Sequence, residues 1–311
     1  MYAPPVTHES IERVIVPHAR ELDGMKLARV LPTMGCRAIG PVVFLDHLGP
    51  ATLPPGQGFD VRPHPHIGLS TVSYLFEGEI VHRDSLGSVA TIVPGAIDVM
   101  TANGGIVHSE RSSDAARAKG VTLHSLQFWV AVPADREDDA PWFAHHAAHE
   151  IPEKDVDGGR ARVLLGSALG LTSPARTDSG PVVIELKLAA GARFEVPIEI
   201  EDVGLYVISG EVVVGEDVYG PHTLVVRKPG AAMTIETSAV THVLLFGGPR
   251  LEGLTTRDPR HIEWNFVASS QERIEAAKHR WRRRQFPTIP GDDEERIPLP
   301  GDPDPEPPPE T

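Results

Sequence analysis

The hexapeptide YLFEGE at residues 74–79 returns as YVISGE at 206–211, an offset of 132 residues, and each copy leads into a strand-like run and a Pro-Gly pair. Those pairs, Pro94-Gly95 and Pro229-Gly230, are offset by 135, so the register drifts by three residues across the unit. A repeat on this scale means one supersecondary plan used twice. The plan is β. Runs such as TVSYLFEGEIVH, SVATIVPGAIDVMT, VTLHSLQFWVAV and VGLYVISGEVVVG are punctuated by Gly and Pro at spacings of eight to fifteen residues. That pattern suits sandwiches or barrels rather than a parallel sheet with crossover helices. A chain of 311 residues also exceeds what one hydrophobic core usually organises. The sequence therefore predicts an all-β protein of two related domains in tandem, residues 1–140 and 161–290, joined by a polar, irregular linker at 141–160.

Charge divides the chain further. Net charge is −14, yet residues 291–311 hold eight acidic residues against Arg296 and so carry −7 of it. Seven of these 21 residues are proline, and such a composition buries too little apolar surface to offset its chain entropy. Most of this tail is expected to be disordered. An acidic protein repels phosphate backbones, which argues against direct nucleic-acid binding. The one basic run, KHRWRRR at 278–284, follows Ser269 and Glu272, spaced as a capping box, and precedes Pro287. It reads as a helix over 269–286, with Trp281 inward and the arginines toward water or the acidic tail. No run of eighteen apolar residues is present to span a bilayer. The N-terminus has no secretory pattern, and the single Cys36 cannot form an internal disulfide. A soluble, monomeric, cytoplasmic protein without a membrane partner is expected.

The segment RPHPHIGLS sets His64 and His66 one residue apart between prolines. On a strand, residues i and i+2 share a face, so the two imidazoles converge. GGIVHSER repeats the device with His108 and Glu110, 44 residues after the first pair, behind Gly104 and Gly105, which permit close approach. Three imidazoles and a carboxylate suit a first-row transition metal, and iron, manganese, nickel, copper, cobalt and zinc all fit by ligand type. Four protein ligands leave up to two positions of an octahedron open to dioxygen or a chelating substrate. Other candidates read as structural. His145, His146 and His149 could bind metal if helical, since 145 and 149 share a face, but they fall in the linker and read as exposed. His242 is isolated and reads as packed or at the surface. Asp46 and His47 read as capping or packing groups that could border the site, and His82 and Asp84 as groups able to orient a ligand imidazole.

The segments RVLPTMGCRAIGPVVFLDHLGP, HPHIGLSTVSYLFEGEIVHRDSLGS, PGAIDVMTANGGIVHSE and RHIEWNFVASSQERIEAAKHRWRRRQFPTIPGDDE resemble the pirin family of the cupin superfamily, over about residues 28–300. The resemblance implies two tandem cupin barrels, with a metal, usually iron, in the N-terminal barrel only. It maps the ligands onto His64, His66, His108 and Glu110. It also implies quercetin 2,3-dioxygenase activity, in which a flavonol and dioxygen give a depside and carbon monoxide, with Glu110 as the general base that takes the 3-hydroxyl proton. Ser70 stands where the wider cupin motif places a glutamate ligand, four residues after the His-x-His, so the carboxylate comes from the second motif. The second copy, VGLYVISGEVVVGEDVYGP, has no His-x-His and is expected to be metal-free. A second reading is a regulatory protein whose metal oxidation state alters a surface for a protein partner. A metal-free structural bicupin is the third.

Overall fold

In the computed structural model, which describes residues 8–22, 25–251 and 260–303, the chain forms two compact units interleaved in sequence. The first barrel is built on Leu48–Ala148 and takes in residues 260–303; the second is built on His149–Leu251 and takes in residues 8–20 and Leu27–His47.

Each barrel has the same layout. In the first, the strands Trp142–His146, Ile97–Thr101, Leu69–Glu77 and Val121–Ala131 lie side by side in that order, and a second sheet runs Asp60–His66, Ile106–Arg111, Ile80–Asp84, Val89–Ile92. In the second, the corresponding orders are Ile11–Ile15, Leu224–Arg227, Asp202–Ser209, Thr241–Gly248 and Arg193–Glu195, Thr234–Thr237, Val212–Val214, Asp217–Tyr219. The repeated hexapeptides begin in the same place in both, at the end of Leu69–Glu77 and of Asp202–Ser209. Their shared glycine is required by the turn that follows. Gly78 and Gly210 have φ of +92° and +77°, and a Cβ on either would collide with a backbone carbonyl oxygen, that of Thr122 or of Val240.

The structure groups the elements differently from a simple cut at 141–160. Trp142–His146, expected in the linker, is a strand of the first barrel paired with Ile97–Thr101. Ile11–Ile15, at the other end of the chain, pairs with Leu224–Arg227 in the second. The helix, expected with the second barrel, packs on the first, where Ile274, Ala277 and Trp281 are buried with Ile67, Val107 and Phe286. Outer strands and amphipathic helices dock wherever open backbone groups or apolar surface remain, and chain order does not dictate where that is.

The helix itself runs Gln271–Arg282, and its cap is Ser270, whose Oγ accepts from the Arg273 N–H at 3.4 Å. Ser269, expected as the cap, instead donates its Oγ to Glu137 Oε2 at 2.6 Å. The tail also departs from expectation over residues 291–303. Asp292 pairs with Arg111 and Ser109, Asp302 with Arg282, and the Ile297 N–H donates to the Pro63 carbonyl. Composition signalled a chain without its own core, but fixed arginines supply partners for its carboxylates. Residues 304–311 lie outside the described residues. Among the described residues, no helix is long and apolar enough to cross a membrane.

Candidate metal centre

Asp60–His66 is the outer strand of its sheet, and proline is tolerated there because an outward N–H has no ladder partner to lose. Pro63 and Pro65 fix the backbone on either side of His64. The register sets His64 opposite His108 and His66 opposite Ile106. Glu110 pairs with Val61, so three steps on the outer strand match two on its neighbour, a bulge at Arg62-Pro63. On its other side Glu110 lies opposite His82.

One ring nitrogen each of His64, His66 and His108 lies within 4.8 Å of the others, and the same holds for one ligating atom each of His82, His108 and Glu110. His108 belongs to both groups. All five side chains are buried.

Hydrogen bonds fix two of the tautomers. His64 Nδ1 lies 2.8 Å from the Arg62 carbonyl oxygen, and His66 Nδ1 lies 3.0 Å from that of Asn265. A carbonyl oxygen only accepts, so each Nδ1 carries the hydrogen and each Nε2 keeps a lone pair. His66 Nε2 stands 3.1 Å from His108 Nε2. Burial pushes His64 down to about 4, and burial together with the neighbouring imidazoles holds His66 and His108 well below the ordinary value. At neutral pH these rings are uncharged, the form that binds a metal, and one nitrogen of each lies close to the others. The donor set fits a transition-metal ion.

His82 orients this group from outside. Its Nε2 lies 3.2 Å from Asp84 Oδ2 and its Nδ1 3.5 Å from His108 Nδ1, while its ring stacks on Phe143 at 4.5 Å. Asp84 is held by the N–H groups of Leu86 and Ser88 at 2.9 and 3.0 Å. Burial pushes Asp84 up, but hydrogen bonds from His82 and Ser88 outweigh it and hold the carboxyl below its ordinary value. This carboxylate–imidazole chain ends on a candidate ligand. Glu110 behaves oppositely: burial pushes its carboxyl up and the charge of Asp98 adds to this, while His82 and the Ser73 hydroxyl pull it back. The Ser73 Oγ donates to Glu110 Oε1 at 3.1 Å.

The remaining sequence candidates are placed as follows. His145 is not a bare linker residue, because its Nδ1 lies 2.6 Å from the buried carboxylate of Asp98. His242 Nε2 pairs with Glu185 at 2.8 Å. In the second barrel Asp46 pairs with Arg29, and His47 with the Tyr206 hydroxyl at 2.8 Å. Sequence reasoning passed over Ser73, Asp98 and the Asn265 carbonyl. For Asp98 a signal existed, since it is the one charged residue in the strand IDVMT; a backbone carbonyl 199 residues from its partner leaves none.

Fold and site together define a bicupin with a histidine-rich centre in its first barrel; among the described residues, the second gathers no comparable group. The chain belongs to the pirin family: residues 24–130 match the Pirin model and residues 183–287 the Pirin C-terminal cupin domain. It is 40% identical over 295 residues to a pirin-like protein of Caulobacter vibrioides, covering 93% of this chain and 99% of that one. The crystal structure of a quercetin 2,3-dioxygenase from Acinetobacter baumannii is similar with a TM-score of 0.85 at 32% identity, covering 94% of this chain and 96% of the other. A second such enzyme from that organism matches with a TM-score of 0.81 at 26% identity, covering 89% and 98%.

Proposed function

We propose that the first barrel is the centre of a quercetin 2,3-dioxygenase, converting a flavonol and dioxygen to a depside and carbon monoxide, in a monomeric cytoplasmic protein with iron as its metal. The observation that carries this is the convergence of three uncharged imidazoles, two with tautomers fixed by backbone carbonyls, beside a buried carboxylate. His64, His66 and His108 hold the metal and Glu110 completes the set. The bound ion supplies Lewis-acid activation of the flavonol 3-hydroxyl and the redox partner for dioxygen. Glu110, a buried carboxylate beside that hydroxyl oxygen, takes the 3-hydroxyl proton. Ser73 holds Glu110 Oε1 and leaves Oε2 to receive that proton. Trp129, 5.2 Å from the His66 ring, and Phe143, stacked on His82, form aromatic walls that keep water out.

The basic surface of the regulatory reading is engaged in part, with Arg283 and Arg284 exposed. Arg282 pairs with Asp302, Arg273 with Asp138, and Lys278 with Glu263. The dioxygenase is tested by elemental analysis of wild type, His64→Ala and Glu110→Gln, with aerobic loss of quercetin absorbance followed on the same samples. Wild type is expected to carry about one iron per chain by the ligand set, His64→Ala to lose it, and Glu110→Gln to keep metal with little turnover. Metal-replete wild type that leaves quercetin intact would refute the activity.

A further inference from the structure

Four strands of the first barrel carry a polar row that the chemistry above uses only in part. In register, His145 lies opposite Asp98, Asp98 opposite Ser73, and Ser73 opposite Gln127. Directly opposed residues present their side chains on one face. That face is turned to the metal centre, because the Ser73 Oγ reaches both Glu110 Oε1 and Gln127 Oε1, at 3.1 and 2.9 Å. The adjacent row, Phe143, Met100, Thr71 and Trp129, confirms the direction, since Phe143 stacks on His82 and Trp129 meets His66.

Asp98 is the only carboxylate of the polar row. It is 3% exposed. Its Oδ1 takes the His145 Nδ1 hydrogen bond, which fixes the rotamer, and its Oδ2 is buried with no hydrogen-bond partner. Leaving such an acceptor unpaired is unfavourable, more so for a charged group than for a neutral one. A metal and Glu110 would engage only the chelating 3-hydroxyl and 4-carbonyl of a flavonol. We propose that Asp98 Oδ2 accepts a hydrogen bond from a hydroxyl outside that chelating pair, and that it thereby selects polyhydroxylated flavonols over 3-hydroxyflavone. A buried acceptor of this kind discriminates strongly, because an analogue lacking the hydroxyl leaves it unpaired. Asp98 is then a specificity-determining residue, with His145 as its support.

This inference rests on the flavonol reading, and a binding assay without turnover separates the two. The full chain is loaded with zinc, which is redox-silent, and titrated with quercetin and with 3-hydroxyflavone while the chelation shift of the flavonol absorbance band is followed. Wild type is expected to bind quercetin more tightly. Asp98→Ala weakens quercetin by about tenfold or more and leaves 3-hydroxyflavone within about twofold, within the range of indirect effects. Asp98→Asn, which keeps an acceptor oxygen and the side-chain shape, recovers part of the loss. Zinc content and unchanged 3-hydroxyflavone binding show that each variant retains its site. Equal weakening of both flavonols overturns the inference, because Asp98 then acts through its charge on Glu110; no weakening of either also overturns it. If neither flavonol shifts its band on zinc-loaded wild type, the flavonol reading falls and this inference with it.

Discussion

The two barrels share one strand order and differ in what the corresponding pair of outer strands buries. In the first, His64 faces His108; in the second, Phe194 faces Ile235, inside a continuous apolar core with Leu186, Val212 and Val243. The second barrel shows that this strand pair can close on apolar side chains. The polar interior of the first is therefore no requirement of the fold, and it forfeits packing that its counterpart has. Compensation comes from the opposite face of the same strands. Val107, between Ile106 and His108, and Ile67, next to His66, pack with Ile274, Trp281 and Phe286 of the C-terminal segment. One barrel keeps its apolar contacts inside, and the other obtains part of them outside.

Exchanging the two pairs sharpens the contrast most. His108→Ile, which puts an apolar residue like those of the second barrel's core into the first, is expected to drop bound metal from about one ion per chain to a small fraction of that by removing a ligand shared by both groups, read by elemental analysis. The reverse exchange, Phe194→His with Ile235→His, should create no site, because the cluster around that pair is apolar. It should instead cost about 3–5 kcal/mol in lost packing and buried polar groups, measured by denaturant unfolding. If that double variant gained metal at unchanged stability, the difference between the barrels would lie elsewhere.

The metal-free first barrel should also be the acid-sensitive one. Above pH about 6.5, the ordinary imidazole value, neither folded nor unfolded chain protonates these rings. Between there and about 4, where buried His64 titrates, the unfolded chain binds protons that the folded chain does not, so stability falls as pH falls. Glu110, shifted upward, works in the opposite sense, but one carboxyl stands against three imidazoles. Denaturant unfolding of metal-free protein across this window should show the loss, and His108→Ile should flatten it. The smallest effect is expected at Asp292→Asn. Its carboxylate meets Arg111 at 2.8 Å and the Ser109 hydroxyl at 2.7 Å on the outer face of the ligand strand, so the change should cost about 1–2 kcal/mol with metal retained.

The repeat and the two period-two pairs were legible because strand geometry converts sequence spacing directly into a shared face. His64, His66 and His108 needed nothing more than that to be brought together. What escaped notice depends on docking over long sequence distances. Asn265 positions His66 with a backbone carbonyl, which any residue possesses. The helix looked basic and solvated, yet its apolar face, with Ile274 and Trp281, was spaced for a partner the sequence did not identify. The tail was read from composition alone, and composition cannot tell that Arg111 and Arg282 stand ready for Asp292 and Asp302.

Pro63 and Pro65 have one further consequence. An outer strand with free N–H groups is a template on which another chain can add a strand, and concentrated protein aggregates by that route. The two prolines remove donors from this edge, and the Ile297 N–H occupies the Pro63 carbonyl. The segment that presents two histidines inward is thus made unreceptive outward, so solubility during synthesis and storage depends on the same few residues as the metal centre.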